Sequence, residues 1–191
     1  MNKINLQIGF LILVIFAVAF IRILPQPLNF SPLAAVALFG AAHFAKRWQA
    51  LLIPIAAIWL SDLFVNNVIY AHYYNGFVLF YEGFYWQYGA YLLVALAGIA
   101  LYRNEISTKT VLVGALGSGI LFFLVSNFGV WAGSTMYSKD LAGLLSCYAA
   151  GIPFYKNTLM GDVFYTVTLF GGYYLLQRNV DFFKLPHVKY A

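Results

Sequence analysis

The sequence has few charged residues and almost no cysteine. Of its 191 residues only 9% are charged, whereas 63% are hydrophobic. A soluble domain of this length could not bury so much apolar surface, so the composition favours a polytopic membrane protein over a soluble one. The single cysteine, Cys147, excludes an internal disulfide, a CxxC redox pair and a cysteine metal cluster.

Catalytic signatures are also missing. The sequence contains no HExxH, GxSxG, Walker or GxGxxG motif. His43 and His187 are expected at the inner side of the membrane and His72 at the outer, so they cannot supply paired haem ligands at one depth. We therefore predict no enzyme activity, no metal site and no cofactor. The net charge of +5 is spread between apolar runs, which indicates membrane orientation rather than nucleic-acid binding.

Apolar runs predict six transmembrane helices in a single all-α domain over residues 1–191. The runs cover residues 6–24, 31–45, 50–64, 86–101, 110–131 and 158–176. The second and third are short, which a tilt, a kink at Pro54 or a partly buried hairpin would explain. Residues 141–153 are apolar but broken by glycine, and we interpret them as a re-entrant or interfacial piece on the outer side.

The basic residues predict the orientation of these helices. With the N-terminus inside, eight of the eleven basic residues lie on the inner side, against Arg22, Lys139 and Lys156 outside. Lys189 is one of the eight. This asymmetry favours a multi-pass membrane protein with both termini cytoplasmic.

Polar side chains gather at the predicted outer ends of the spans. A charged side chain inside a span costs about 2.5–3.5 kcal/mol, so it persists mainly where it faces protein or water. The candidate substrate-binding residues at this level are Asn29, Ser31, Asp62, Asn66, Ser126, Asn127, Trp131, Asn157 and Asp162. Simpler roles stay open for three of them: a helix cap for Asn157, a structural partner for Asp162 and a solvated position for Asp62.

Two further patterns each have an ordinary and a sharper interpretation. Residues 70–88 contain ten aromatic side chains in nineteen; they form either an interfacial belt or a lid in which His72 and Tyr74 contact a ligand. Small residues recur at Ala37, Ala41 and Ala45. This stripe serves close packing within the chain or contact with a partner subunit.

Four sequence blocks carry a resemblance to known proteins. They are NFSPLAAVALFGAAHF (29–44), PIAAIWLSDLF (54–64), SNFGVW (126–131) and GLLSCYAAGIPFYKNTLMGDVFY (143–165). They resemble a family of small bacterial integral membrane proteins described as transport proteins. More distantly, the size, the six spans and the outward polar loops are similar to the S components of energy-coupling-factor vitamin transporters, including solitary cobalamin carriers.

This resemblance implies a six-helix, S-component-like bundle that captures a vitamin from outside. A coupling subunit or ATPase would be the partner, although the first span lacks the alanine stripe by which S components dock. In one type of cobalamin carrier a cysteine ligates cobalt. Cys147 would fill that role if it faced the ligand; a small buried residue is the ordinary alternative.

The sequence therefore predicts a transport protein that binds a small vitamin-like solute, cobalamin among the candidates, in an outward-facing pocket. Membrane lipid is its expected surrounding. One alternative is a membrane enzyme acting on a lipid or quinone-like substrate, with Asp62 and Asp162 as acid and base. A second alternative is an assembly subunit of a larger membrane complex.

Overall fold

Six α-helices make up the fold in the computed structural model, which describes residues 3–186, 188 and 190. They are α1 Lys3–Phe20, α2 Leu33–His43, α3 Arg47–Phe64, α4 Phe84–Leu101, α5 Thr108–Gly133 and α6 Leu141–Asn179. Within the described ranges there is no β-strand, only a single bridge between Ile106 and Tyr190. The all-helical prediction is confirmed, while His187 and Lys189 lie outside the described residues.

Four segments are long and apolar enough to cross a membrane. They are Lys3–Ile23, Arg47–Ile69, Phe84–Leu101 and Thr108–Gly133. They correspond to the first, third, fourth and fifth predicted spans. The third is longer than expected because α3 continues into a π-helical turn, Val65–Ile69, which brings the segment to 23 residues.

The second predicted span is a short helix. α2 has 11 residues, of which all but Ala42 are buried, and its length of about 16 Å is too short for a crossing. A helix within residues 31–45 is therefore confirmed to within two residues at each end, whereas a full crossing by it was a wrong prediction. The preceding residues, 24–32, are irregular chain. α2 contacts all five other α-helices, which explains its apolar composition on every side.

Small residues let α2 approach its neighbours closely. A Cβ at Gly40 would lie 2.4 Å from Cγ of Pro54 in α3, and one at Gly98 would lie 2.9 Å from Cβ of Ala41. Ala37 is fully buried and Ala41 is 8% exposed. These two residues of the alanine stripe therefore pack inside the chain, where a partner subunit has no access to them.

α6 is one continuous helix of 39 residues, about 58 Å long. Asp140 caps its start: Oδ1 accepts a hydrogen bond from the Gly143 amide at 2.7 Å, and this bond lowers the pKa of the Asp140 carboxyl. Residues 141–153, interpreted above as a re-entrant or interfacial piece, are therefore not a separate segment but the first part of α6. Pro153 lies inside the helix, and although its ring removes one backbone hydrogen bond, packing against α5 supports the helix on both sides of it.

The two ends of the bundle differ. At one end, which we call the closed end, the C-terminal segment packs across the helices: the side chains of Gln7 and Gln177 donate to the carbonyls of Lys184 and Phe183 at 3.0 and 2.9 Å. At the opposite end, the cavity end, the loop of residues 24–32 turns inward between the helices instead of covering them.

Candidate functional site

A cavity of about 620 Å³ opens at the cavity end, within the range of roughly 300–1,000 Å³ typical of small-molecule sites. Its wall is formed by the 24–32 loop, the π-helical turn and parts of α2, α4, α5 and α6. The polar side chains in this wall are Arg22, Gln26, Asn29, Ser31, Gln87, Ser126, Asn127, Thr158 and Asp162.

The 24–32 loop is held in the bundle by side chains of α6. The hydroxyl of Tyr165 donates to Oε1 of Gln26 at 3.0 Å, and Nδ2 of Asn157 donates to the carbonyl of Leu28 at 3.0 Å. Asn157 therefore fastens the loop and is not part of the cavity wall. These bonds pair polar groups of the loop and of α6 with each other.

Two residues let this loop take its shape. Asn29 adopts a left-handed backbone with φ of 63°, which asparagine tolerates better than most residues. Gly161 lies under the loop, where an added Cβ would lie only 2.8 Å from the Ser31 nitrogen. The missing side chain at Gly161 thus allows the loop to lie directly on α6.

Asp162 is a buried carboxylate facing the cavity without a partner for one of its oxygens. It is 3% exposed, and Oδ2 has no hydrogen-bond partner among the described residues. Asn127, which also lines the cavity, donates through Nδ2 to the Phe123 carbonyl at 2.8 Å. Because an unpaired buried polar group costs about 1–3 kcal/mol and a charged one costs more, Asp162 is the most poorly satisfied group of the cavity wall.

Asp62 has a different environment. Its Oδ1 pairs with Nη1 of Arg22, and its Oδ2 accepts a hydrogen bond from Tyr88 Oη at 2.7 Å. Asp62 does not line the cavity, whereas Arg22 does. Asp62 therefore lies behind the cavity wall and orients the Arg22 guanidinium. Its own carboxylate does not face the cavity, in contrast to Asp162.

Aromatic pairs form much of the apolar wall. Tyr91 and Phe122 stack with ring centroids 4.9 Å apart and planes inclined by 25°. Phe123 and Tyr155 lie 5.0 Å apart in a tilted arrangement. All four line the cavity, so a ligand ring would meet π surfaces contributed by α4, α5 and α6.

The cavity brings together five of the predicted residues: Asn29, Ser31, Ser126, Asn127 and Asp162. Six others lie outside its wall: Asp62, Asn66, His72, Tyr74, Trp131 and Asn157. Asn66 is buried in the π-helical turn. Trp131 donates through Nε1 to the Ser138 carbonyl at 2.8 Å, which fixes the turn between α5 and α6.

The aromatic stretch of residues 70–88 contributes little to the cavity. Tyr70 and Gln87 line it, but His72 is exposed and packs on Tyr73 with ring centroids 4.0 Å apart. Tyr81 lies near Asp62, and burial together with that carboxylate raises the pKa of its hydroxyl. The expected lid contacts of His72 and Tyr74 are therefore not part of the wall.

The lining residues that were not predicted include Arg22, Gln87, Tyr91, Phe122 and Tyr155. Arg22 could have been recognised from the sequence, because it is a basic residue on the predicted outer side, where basic residues are rare. Tyr155 could have been recognised if α6 had been predicted as continuous, because it lies seven residues before Asp162 and therefore on the same helix face.

Cys147 does not reach the cavity. Its side chain is 2% exposed, and its thiol donates to the Asn127 carbonyl at 3.3 Å. A role as cobalt ligand in this cavity is therefore incompatible with its position. In the described part of the chain, no three His, Cys, Asp or Glu side chains are grouped as metal ligands.

A family of unknown function, DUF6580, matches residues 2–186. The chain belongs to this family. All residues of the cavity wall fall inside the matched range, so the cavity lies within the region that family members share. Comparison with curated proteins and with solved structures gives no match.

Proposed function

We propose that this member of the family is a transport protein of the bacterial inner membrane that binds a small vitamin-like solute and assists its uptake. The observation that carries the proposal is the cavity of about 620 Å³ with Arg22 and Asp162 in an otherwise aromatic and amide-rich wall. Small-molecule sites combine such apolar surface with a few convergent polar groups.

The loop between the first two predicted spans supports the same function. S components capture their solute with outer loops and helix ends. In this chain residues 24–32, which lead from the first span to α2, form one wall of the cavity. The S-component resemblance and the predicted orientation would make this cavity open to the outside.

The two alternatives have less support. An enzyme that uses Asp62 and Asp162 as acid and base needs both carboxyls at one substrate, whereas Asp62 is engaged by Arg22 and Tyr88. An assembly subunit that docks through the alanine stripe needs that stripe exposed, whereas Ala37 and Ala41 are buried.

The test is to look for a retained solute in gently purified protein by native mass spectrometry and absorbance, followed by binding measurements with a vitamin panel. Ser126→Phe fills the cavity and is expected to abolish retention. Ser146→Phe is the matched control, because Ser146 is exposed on α6 and, like Ser126, bonds the carbonyl four residues earlier. Absence of any bound solute, or equal retention by both variants, would contradict the proposal.

A further inference from the structure

The unpaired oxygen of Asp162 indicates which chemical group the cavity recognises. Oδ2 is a hydrogen-bond acceptor that no described residue satisfies, although the side chain is 3% exposed. A carboxylate so placed needs a donor, and a cationic donor offsets its burial best. Asp162 lines the cavity, so a solute seated there can supply that donor once the carboxyl group turns away from Gly119, against which Oδ2 is packed.

The protein does not supply a cation itself. The ion pairs among the described residues are Arg22–Asp62 and Lys184–Asp181, so no basic side chain is within ion-pair distance of Asp162. Lys156, on the same helix, is exposed. Arg22 lines the cavity but is paired with Asp62.

An aromatic surface lies next to the carboxylate. A Cβ placed on Gly119 would lie 2.9 Å from Oδ2 of Asp162 and 3.6 Å from Cε2 of Tyr155, so both groups border the same small space. Tyr155 in turn packs on Phe123. A carboxylate beside π faces suits an ammonium group carried on a flat ring, because the faces attract the cation and cover the ring.

We propose that the solute is a small ring compound bearing a protonated amine, which donates to Oδ2 of Asp162 while the aromatic pairs cover its ring. This inference rests on the proposed transport function and specifies the substrate class of the same cavity. The remaining guanidinium donors of Arg22 would bind an acceptor elsewhere on the solute.

The probes for the test are pyridoxamine, pyridoxine and 4-pyridoxate, which share a ring and differ in an amine, hydroxyl or carboxylate substituent. Calorimetry with purified protein should show pyridoxamine binding most tightly. Asp162→Asn keeps the shape but removes the charge, and should weaken pyridoxamine by about tenfold or more while leaving pyridoxine nearly unchanged. Glu105→Gln, at an exposed position, is the matched charge control.

A second variant tests the inference independently if Asp162→Asn does not fold. Gly119→Ala inserts a methyl group beside Oδ2 without changing the charge, and should also weaken pyridoxamine. Its control is Gly117→Ala, where an added Cβ meets nothing within 4 Å.

Preference for 4-pyridoxate, or pyridoxamine binding unchanged in Asp162→Asn, would overturn the inference while leaving a solute-binding function intact. Failure of all three probes would overturn it as well. The transport proposal is judged separately by the native mass spectrometry described above, so the two failures can be told apart.

Discussion

Arg22 and Asp62 form a partly buried ion pair that joins the end of the first span to the third. Their side chains are 23% and 10% exposed. Tyr88 of α4 adds a hydrogen bond to the same carboxylate, so three helical segments meet at one charge. Such a pair adds little net stability over an apolar replacement, but removal of one partner leaves the other charge buried and unpaired.

We therefore expect Arg22→Gln to lower the free energy of unfolding by about 2 kcal/mol. This is less than the roughly 3–5 kcal/mol lost in fully buried pairs, because water reaches part of the Arg22 side chain. The double variant Arg22→Gln/Asp62→Asn should recover part of that loss, since the carboxylate is then neutral. Thermal unfolding in detergent measures both, with the exposed Arg103→Gln as control. A single variant as stable as the wild type would contradict the assigned role of the pair.

At the scale of the elements, α2 determines how the other helices are arranged. It is a short, buried helix in the middle of the bundle, and it contacts all five other α-helices. Gly40 is its closest point of approach to α3, opposite Pro54. The loss of a hydrogen bond at Pro54 and the missing side chain at Gly40 together bring the two backbones close.

Gly40→Ala tests this close packing. The added methyl would lie 2.4 Å from Pro54 Cγ and 3.4 Å from the Ala50 carbonyl, so α2 and α3 must separate. We expect a loss of about 1–3 kcal/mol, as for overpacked cores. Gly117→Ala has open space on α5 and should be neutral or stabilising through helix propensity. Chemical unfolding of the two variants compares them, and equal stability would show that α2 and α3 are not in tight contact.

The sequence predicts best those helices whose first and last residues are determined by the residues next to them in the chain. α4 and α5 begin and end within two residues of the predicted spans, because glycine and charged residues flank their apolar runs. The limits of α2 also lie within two residues of its predicted run, but its assignment as a crossing was wrong, and α6 begins 17 residues before its predicted span. The apolar run at residues 31–45 reflects burial within the bundle, not a crossing, and Pro153 is accommodated inside α6 by tertiary packing that local propensity does not encode.

The site residues also divide into predictable and unpredictable ones. Polar residues inside apolar runs, such as Asn127 and Asp162, can be recognised in the sequence because burying them in a membrane span is energetically unfavourable. Both of these line the cavity. Tyr91 and Phe122 line it too, but an aromatic residue in a span has the same sequence pattern whether it faces core, lipid or ligand. Asp62 was conspicuous for the same reason as Asp162, yet its partners on α1 and α4 could only be identified from the folded arrangement.

At the scale of the whole molecule, two contacts show which helix ends lie on the same side of the bundle. Lys3, at the start of α1, donates to the Asp181 carbonyl at 3.2 Å, so the start of α1 lies beside the segment that follows α6, at the closed end. Arg22 and Asp62 meet at the cavity end. The closed end also carries Arg103, and the positive-inside rule then predicts that this end faces the cytoplasm.

Cysteine labelling of α5 tests this orientation. Cys147 is 2% exposed, so Cys147→Ser provides a background without reactive thiols. Asn104→Cys and Met136→Cys then place one thiol before and one after α5, at exposed positions and without changing any charge. At 26 residues, or about 39 Å, α5 is long enough to separate them across a bilayer.

We expect a membrane-impermeant maleimide to label Met136→Cys in intact spheroplasts and Asn104→Cys only after the membrane is permeabilised. The reverse pattern would place the cavity on the cytoplasmic side, where it could release or export a solute but not capture one from outside. Labelling of both positions in intact spheroplasts would mean that α5 does not cross the membrane. Because uptake requires an outward-facing cavity, either result would refute the proposed direction of transport even if the cavity binds a solute.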